Sequence, residues 1–394
     1  MELIDSVQAI FQVMTIVLLG YLLTRKGYFT MDKQKWLSKL NMVFFTPCLL
    51  FSNIASIISL EKLLAFWPIP AFYLVFAIIS FSASQITSRL VGLNAPYRRF
   101  VLACVMFSNT NSLPIAIISS LAVSEAGNIL FWDTDDTEVS VAARGISYTL
   151  FFAIFGNLIR WSYGYSLLQK HEPKAKASSL SETSPLLATF PFPSIAQSRA
   201  QSLTRSLKTN AYLFARKVDN FMSPPLYAAV LALIVGLSPL KGFLYDKDSF
   251  MYPSFTKAIE TCGRASVPII LTCLGSQLAC ISESQHHSHA VRKPVFTAIS
   301  VRLLLMPLFV IPIVIAFVLY GSRWSTLASD PVFIVMMIVL GCTPTAINLV
   351  QITQVNDFCE EEMLRMLFWS YGVICIPVCT FTVFTALSVV DKLL

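Results

Sequence analysis

Two short stretches set amides, hydroxyls and a proline inside otherwise apolar runs. One is Asn109-Thr110-Asn111-Ser112-Leu113-Pro114. The other is Cys342-Thr343-Pro344-Thr345-Ala346-Ile347-Asn348, with Gln351 close behind. Proline in a helix interior removes a backbone hydrogen bond and clashes with the preceding turn. Where polar side chains crowd the same place, the helix can unwind rather than merely kink. Unwinding exposes the N-terminus of a half-helix, whose free N–H groups carry roughly half a positive charge and bind anions. Asn109, Asn111 and Asn348 would add amide donors and Thr343 a hydroxyl, so a carboxylate could be held there without a full cationic partner. Phe45, Gln277 and Tyr371 are further candidates for the pocket wall. The plainer alternative is an ordinary kink at Pro114 and Pro344, as at Pro307, Pro312 and Pro377.

The elements that would position these residues are membrane helices. The chain has 394 residues, of which 55% are hydrophobic and only 13% charged, and its mean hydropathy is +0.67. Soluble domains carry roughly a quarter charged residues. A soluble enzyme, a disordered tail and a nucleic-acid binder are therefore poor readings. Ten apolar runs fall at 7–24, 38–57, 64–88, 99–123, 143–168, 222–240, 258–282, 294–320, 331–355 and 364–390. Several are longer than the ~18 residues a helix needs to cross a bilayer. The first reads as a retained anchor, not a cleaved signal peptide.

Basic residues orient the spans. Arg25, Lys26, Lys33, Lys35 and Lys39 follow the first, and nineteen of the 29 Lys and Arg fall on connections of that side against seven on the other. The positive-inside rule then places both termini outside or in the lumen. Residues 170–221, rich in Ser, Pro and basic residues, read as a cytoplasmic linker between five-span halves at 1–169 and 222–394; phosphorylation of the linker is the sharper alternative. Six cysteines (Cys48, Cys104, Cys273, Cys342, Cys375 and Cys379) sit in apolar runs and read as small hydrophobes, with no CxxC pair to suggest a metal or redox site. His286, His287 and His289 read as a solvated loop cluster.

The halves share landmarks in one order. Gly20 matches Gly236, Pro47 matches Pro268 and Pro114 matches Pro344, at offsets of 216, 221 and 230. An odd number of spans per half makes the second insert upside down, the inverted repeat common in secondary transporters. The expected fold is thus an all-α polytopic membrane protein: ten transmembrane helices as two inverted five-helix repeats, with helices 4 and 9 broken. No Asp, Glu or His lies deep in a span, which favours transport without ion coupling. A sodium site built from carbonyls and amides is the alternative. Arg302, the deepest charge, would pair with backbone carbonyls or attract anions, and Arg264 would pair with Glu260 one turn away. Intramembrane catalysis lacks its usual paired acids or Ser/His arrangement here, so no cofactor or metal is expected. A channel or receptor of the same fold is the rival class.

The chain resembles the auxin efflux carrier family, particularly its PIN-LIKES and fungal branch, in the bile acid/auxin-carrier-like superfamily. The resemblance rests on Leu19-Gly20-Tyr21 with Gly27-Tyr28-Phe29, on Leu40-Asn41 through Ser52, on Ser108 through Pro114, and on Pro344 through Asn348 with Gln354, Glu360 and Glu361. It implies a crossover of broken helices at the substrate site, falling on Asn109, Asn111, Pro114, Pro344 and Asn348. It also implies a scaffold and a mobile transport domain, elevator-type movement of indole-3-acetate or a similar weak acid, and frequent homodimers. The short central loop fits the endoplasmic-reticulum branch, with the plasma membrane as the alternative. Relatives tend to show Gly-Asn-Leu-Pro where this chain has Asn111-Ser112-Leu113-Pro114.

Overall fold

A computed structural model describes residues 2–133, 135–170, 222–283 and 289–394. The linker after Lys170 and the cluster His286-His287-Ser288 lie outside the described residues. Within them, every regular element is a helix. We number the main ones α1 (Glu2–Arg25), α2 (Met31–Ile57), α3 (Pro68–Leu90), α4 (Ala95–Met106), α5 (Ser112–Ala122), α6 (Glu138–Leu167), α7 (Pro224–Gly236), α8 (Lys257–Glu283), α9 (Arg292–Gly321), α10 (Pro331–Cys342), α11 (Leu349–Val355) and α12 (Glu360–Leu393). Five of them, α2, α3, α6, α9 and α12, are long and apolar enough to cross a membrane. This is an all-helical, multi-pass membrane protein.

Local chemistry sets the helix starts. The Asp330 carboxylate accepts from the Val332 N–H at 2.9 Å, with Pro331 at the first position of α10. Thr137 and Ser140 cap each other's backbone N–H at the start of α6. Pro114 is a correction to the simple kink: it lies buried in the first turn of α5, where its missing N–H breaks no internal bond. Glu260 pairs with Lys257 at 2.9 Å rather than with Arg264.

In lipid, apolar burial does not drive helices together, so close contact must. Helices α1 and α8 achieve it through glycine. A Cβ on Gly20 would sit 2.3 Å from the Thr272 carbonyl oxygen, and one on Gly275 only 1.9 Å from that of Val17. Helices α1, α2, α7 and α8 pack on one another, while α10 is buried along its whole length among α6, α9 and α12.

Four of the long helices contain a π turn, and the residues they carry matter below: Asn41–Phe45 in α2, Arg160–Gly164 in α6, Val301–Leu305 in α9 and Ser370–Ile374 in α12. Each holds an extra residue in one turn, a feature frequent at functional sites. Cys104, Cys273, Cys342, Cys375 and Cys379 are buried and free, and Cys48 is half-buried.

Candidate functional site

The two proline-containing stretches meet. Helix α4 stops at Met106 and α5 starts at Ser112; α10 stops at Cys342 and α11 starts at Leu349. Between them, Ser108 and Thr345 face each other in an antiparallel bridge. The Asn109 N–H donates to the Pro344 carbonyl at 2.8 Å, and the Ala346 N–H returns a bond to Phe107 at 2.8 Å.

Breaking two helices in a membrane leaves carbonyls that water cannot reach, and each needs a donor. Here side chains supply them. Thr345 Oγ1 donates to Cys104 at 2.7 Å and Thr343 Oγ1 to Leu340 at 3.2 Å. Arg302, 2% exposed, donates through Nε to Thr343 at 2.8 Å and through a terminal nitrogen to Val105 at 3.1 Å. Arg302 therefore takes the carbonyl-pairing role. Tyr371 donates to the Thr345 carbonyl at 2.8 Å while its oxygen accepts from Asn109 Nδ2 at 2.9 Å. Arg160 donates to the Ser108 carbonyl at 3.0 Å.

A narrow cleft of about 60 Å³ lies beside this crossover. One wall is Leu49, Leu50 and Asn53 of α2 with Val267 of α8. The other is Asn109 to Ser112, Asn157, Arg160 and Ala346 to Asn348. Asn111 and Asn348 stand at the N-cap positions of α5 and α11, and neither side chain caps its helix. Asn109 is held by Tyr371, and its Oδ1 accepts from the Asn111 N–H at 3.2 Å.

Of the residues singled out in the sequence, the structure brings Asn109, Asn111 and Asn348 together in the cleft. Thr343, Pro344 and Tyr371 lie behind them in the crossover's hydrogen bonds. The other four lie elsewhere. Pro114 is in the first turn of α5. Gln351 donates to the Ser38 carbonyl at 3.3 Å across the α2–α11 contact. Gln277 donates to Glu360 at 3.0 Å, joining α8 to the start of α12. Phe45 packs edge-to-face on Phe44 at 5.0 Å.

Asn53, Asn157 and Arg160 are lining residues that the sequence reading did not single out. The signal available for them was Asn157 and Arg160 three residues apart, on one face of an apolar run.

The chain matches the family model described as membrane transport protein over residues 5–383. It is 34% identical to an uncharacterized transporter of Schizosaccharomyces pombe, with 96% of this chain and 94% of that protein covered. It is 33% identical to an uncharacterized transporter of Saccharomyces cerevisiae, covering 98% of this chain and 95% of that one. Protein PIN-LIKES 1 of Arabidopsis thaliana is 24% identical over 86% of this chain and 70% of its own length. A family match across nearly the whole chain, together with these relatives, points to a transporter and not to an enzyme. The chain belongs to the membrane transport protein family, within its auxin-efflux-carrier-like group.

Proposed function

We propose that this transporter carries a small amphipathic organic anion, such as indole-3-acetate or another weak acid, through the cleft at the crossover. The observation that carries the reading is the lining: five asparagines and the N-terminus of α5 converge where the neighbouring cation, Arg160, has no carboxylate partner among the described residues. Amide donors and a half-helix dipole favour a carboxylate. Leu49, Leu50, Val267 and Ile347 would face its apolar body.

The cleft lies between the group α1, α2, α7 and α8 and the elements that carry the crossover. That placement supports elevator-type alternating access, with the four-helix group as scaffold and the crossover elements as the moving part. Ten spans in two inverted five-helix repeats, 1–169 and 222–394, accommodate the two breaks as corresponding features of the halves. Both termini would then face the lumen, in the endoplasmic reticulum membrane. Among the described residues no Asp, Glu or His lines the cleft, which supports uncoupled movement down the anion's electrochemical gradient.

Uptake of radiolabelled indole-3-acetate into proteoliposomes tests this, with an imposed potential and with sodium and proton gradients exchanged. Saturable flux with counterflow is expected. Its final accumulation should follow the potential by roughly tenfold per ~60 mV and ignore both ions. Flux that does not saturate would favour a channel, and dependence on either ion would overturn uncoupled transport.

A further inference from the structure

Arg160 opens the π turn of α6 and is 3% exposed, yet it lines the cleft. A buried cation is costly unless it is paired and hydrogen-bonded. This one has no carboxylate partner among the described residues. One terminal nitrogen donates to Asn157 Oδ1 at 3.1 Å and the other to the Ser108 carbonyl at 3.0 Å. Among the described residues its Nε–H has no hydrogen-bond partner either. The Phe107 ring lies 5.9 Å from the guanidinium. Nearby Tyr73, 5% exposed, also has a hydroxyl without a partner among the described residues.

Arg302 shows what a purely structural arginine looks like in the same crossover. It is equally buried, it spends Nε and a terminal nitrogen on close carbonyl contacts, and it does not line the cleft. Arg160 keeps a full positive charge and an unused donor at the cleft wall. Amides and a helix N-terminus attract a carboxylate but also tolerate a neutral amide, since both present carbonyl-type oxygens. A fixed cation does not treat them alike: it rewards the charge.

We propose that Arg160 is the residue that makes the cleft select a carboxylate over its neutral isostere. Its Nε–H, and the terminal N–H now resting on Asn157, would face the substrate oxygens. The proposal rests on the anion reading of the cleft, and the experiment separates the two.

Binding of indole-3-acetate and phenylacetate would be compared with that of their amides, using the full chain in nanodiscs. Wild-type protein is expected to favour each carboxylate. R160Q should lower carboxylate affinity about 10- to 100-fold, the size of a hydrogen bond to a charged group, and leave amide affinity nearly unchanged. R160K, which keeps charge without the planar fork, should retain part of the preference. R160Q also uncaps Ser108, so a second variant guards against misfolding. N157D preserves the hydrogen bond to Arg160 but neutralises it, and should likewise remove the preference. Unchanged preference in N157D, or in folded R160Q, would overturn the role of Arg160 and leave the cleft as the anion site. A wild-type protein that prefers neither carboxylate over its amide would overturn both.

Discussion

The Asn109 amide donates to the Tyr371 hydroxyl at 2.9 Å, and that hydroxyl donates onward to the Thr345 carbonyl at 2.8 Å. One phenol thus holds a cleft-lining side chain on one broken helix and the unwound backbone of the other. Tyr371→Phe removes both bonds with almost no change in shape. It leaves a buried carbonyl and an amide N–H short of partners, a cost of about 1–3 kcal/mol. The expected result is a lower unfolding temperature together with weaker substrate binding, since Asn109 loses its tie to α12 and keeps only its local bonds to Asn111 and Ser112. Thermal unfolding in detergent and a binding titration read the two effects; an unchanged unfolding temperature would mean the hydroxyl contributes no net stability.

Asn348 differs from Tyr371 in kind. It is half-buried, lines the cleft and makes no capping bond to α11. Asn348→Ala should therefore cost less than ~1 kcal/mol of stability. Transport should fall about tenfold or more, as expected for a lost hydrogen bond to a charged group. Uptake by folded Asn348→Ala at the wild-type rate would remove Asn348 from the site.

Arg302 holds the carbonyls of Val105 and Thr343, one from each broken helix. Arg302→Gln should destabilise by about 3 kcal/mol or more, because these carbonyls have no water to turn to. Arg302→Lys should be intermediate, keeping the charge without the fork. Yield of folded protein and its unfolding temperature measure this. Wild-type stability in Arg302→Gln would show that the crossover finds other donors.

Outside the spans, Asp136 receives Arg144 at 2.7 Å on the loop before α6. Burial pushes its carboxyl up, but the Trp132 N–H, the Arg144 guanidinium and the Ser140 hydroxyl together hold it down, from 3.8 to about 2. A carboxyl held low in the folded protein contributes stability in full above its unfolded value and loses it as pH falls through the folded one. Unfolding temperature should therefore decline between about pH 4 and pH 2, and Asp136→Asn should lower it at pH 7 and flatten that decline. A decline of the same size in Asp136→Asn would assign it to other carboxylates.

Much of the site was legible because two signals coincide in the chain. Asn109 and Asn111 precede Pro114, and Asn348 follows Pro344, each inside an apolar run where polar residues are expensive. Gln351 and Gln277 carried the same polar signal and face elsewhere, and the aromatic wall candidate Phe45 packs on Phe44. Gln351 lies one turn from Asn348, enough to place it against Ser38 of α2 rather than in the cleft. Arg160 went unassigned because a lone Arg in a span is as readily structural, as Arg302 is.

The sequence by itself determined the membrane class, the family and the places where two helices break. These follow from run length, motif and proline chemistry, all local properties of the chain. Only the tertiary structure decided that the breaks bridge each other through Ser108 and Thr345, and that Arg160, Arg302 and Tyr371 serve them. Those three residues ride on π turns. The extra residue in each turn shifts the helix's phase, so a regular 3.6-residue period misplaces the face on which they stand. Pairing between distant segments is fixed only when packing leaves their carbonyls no other donors.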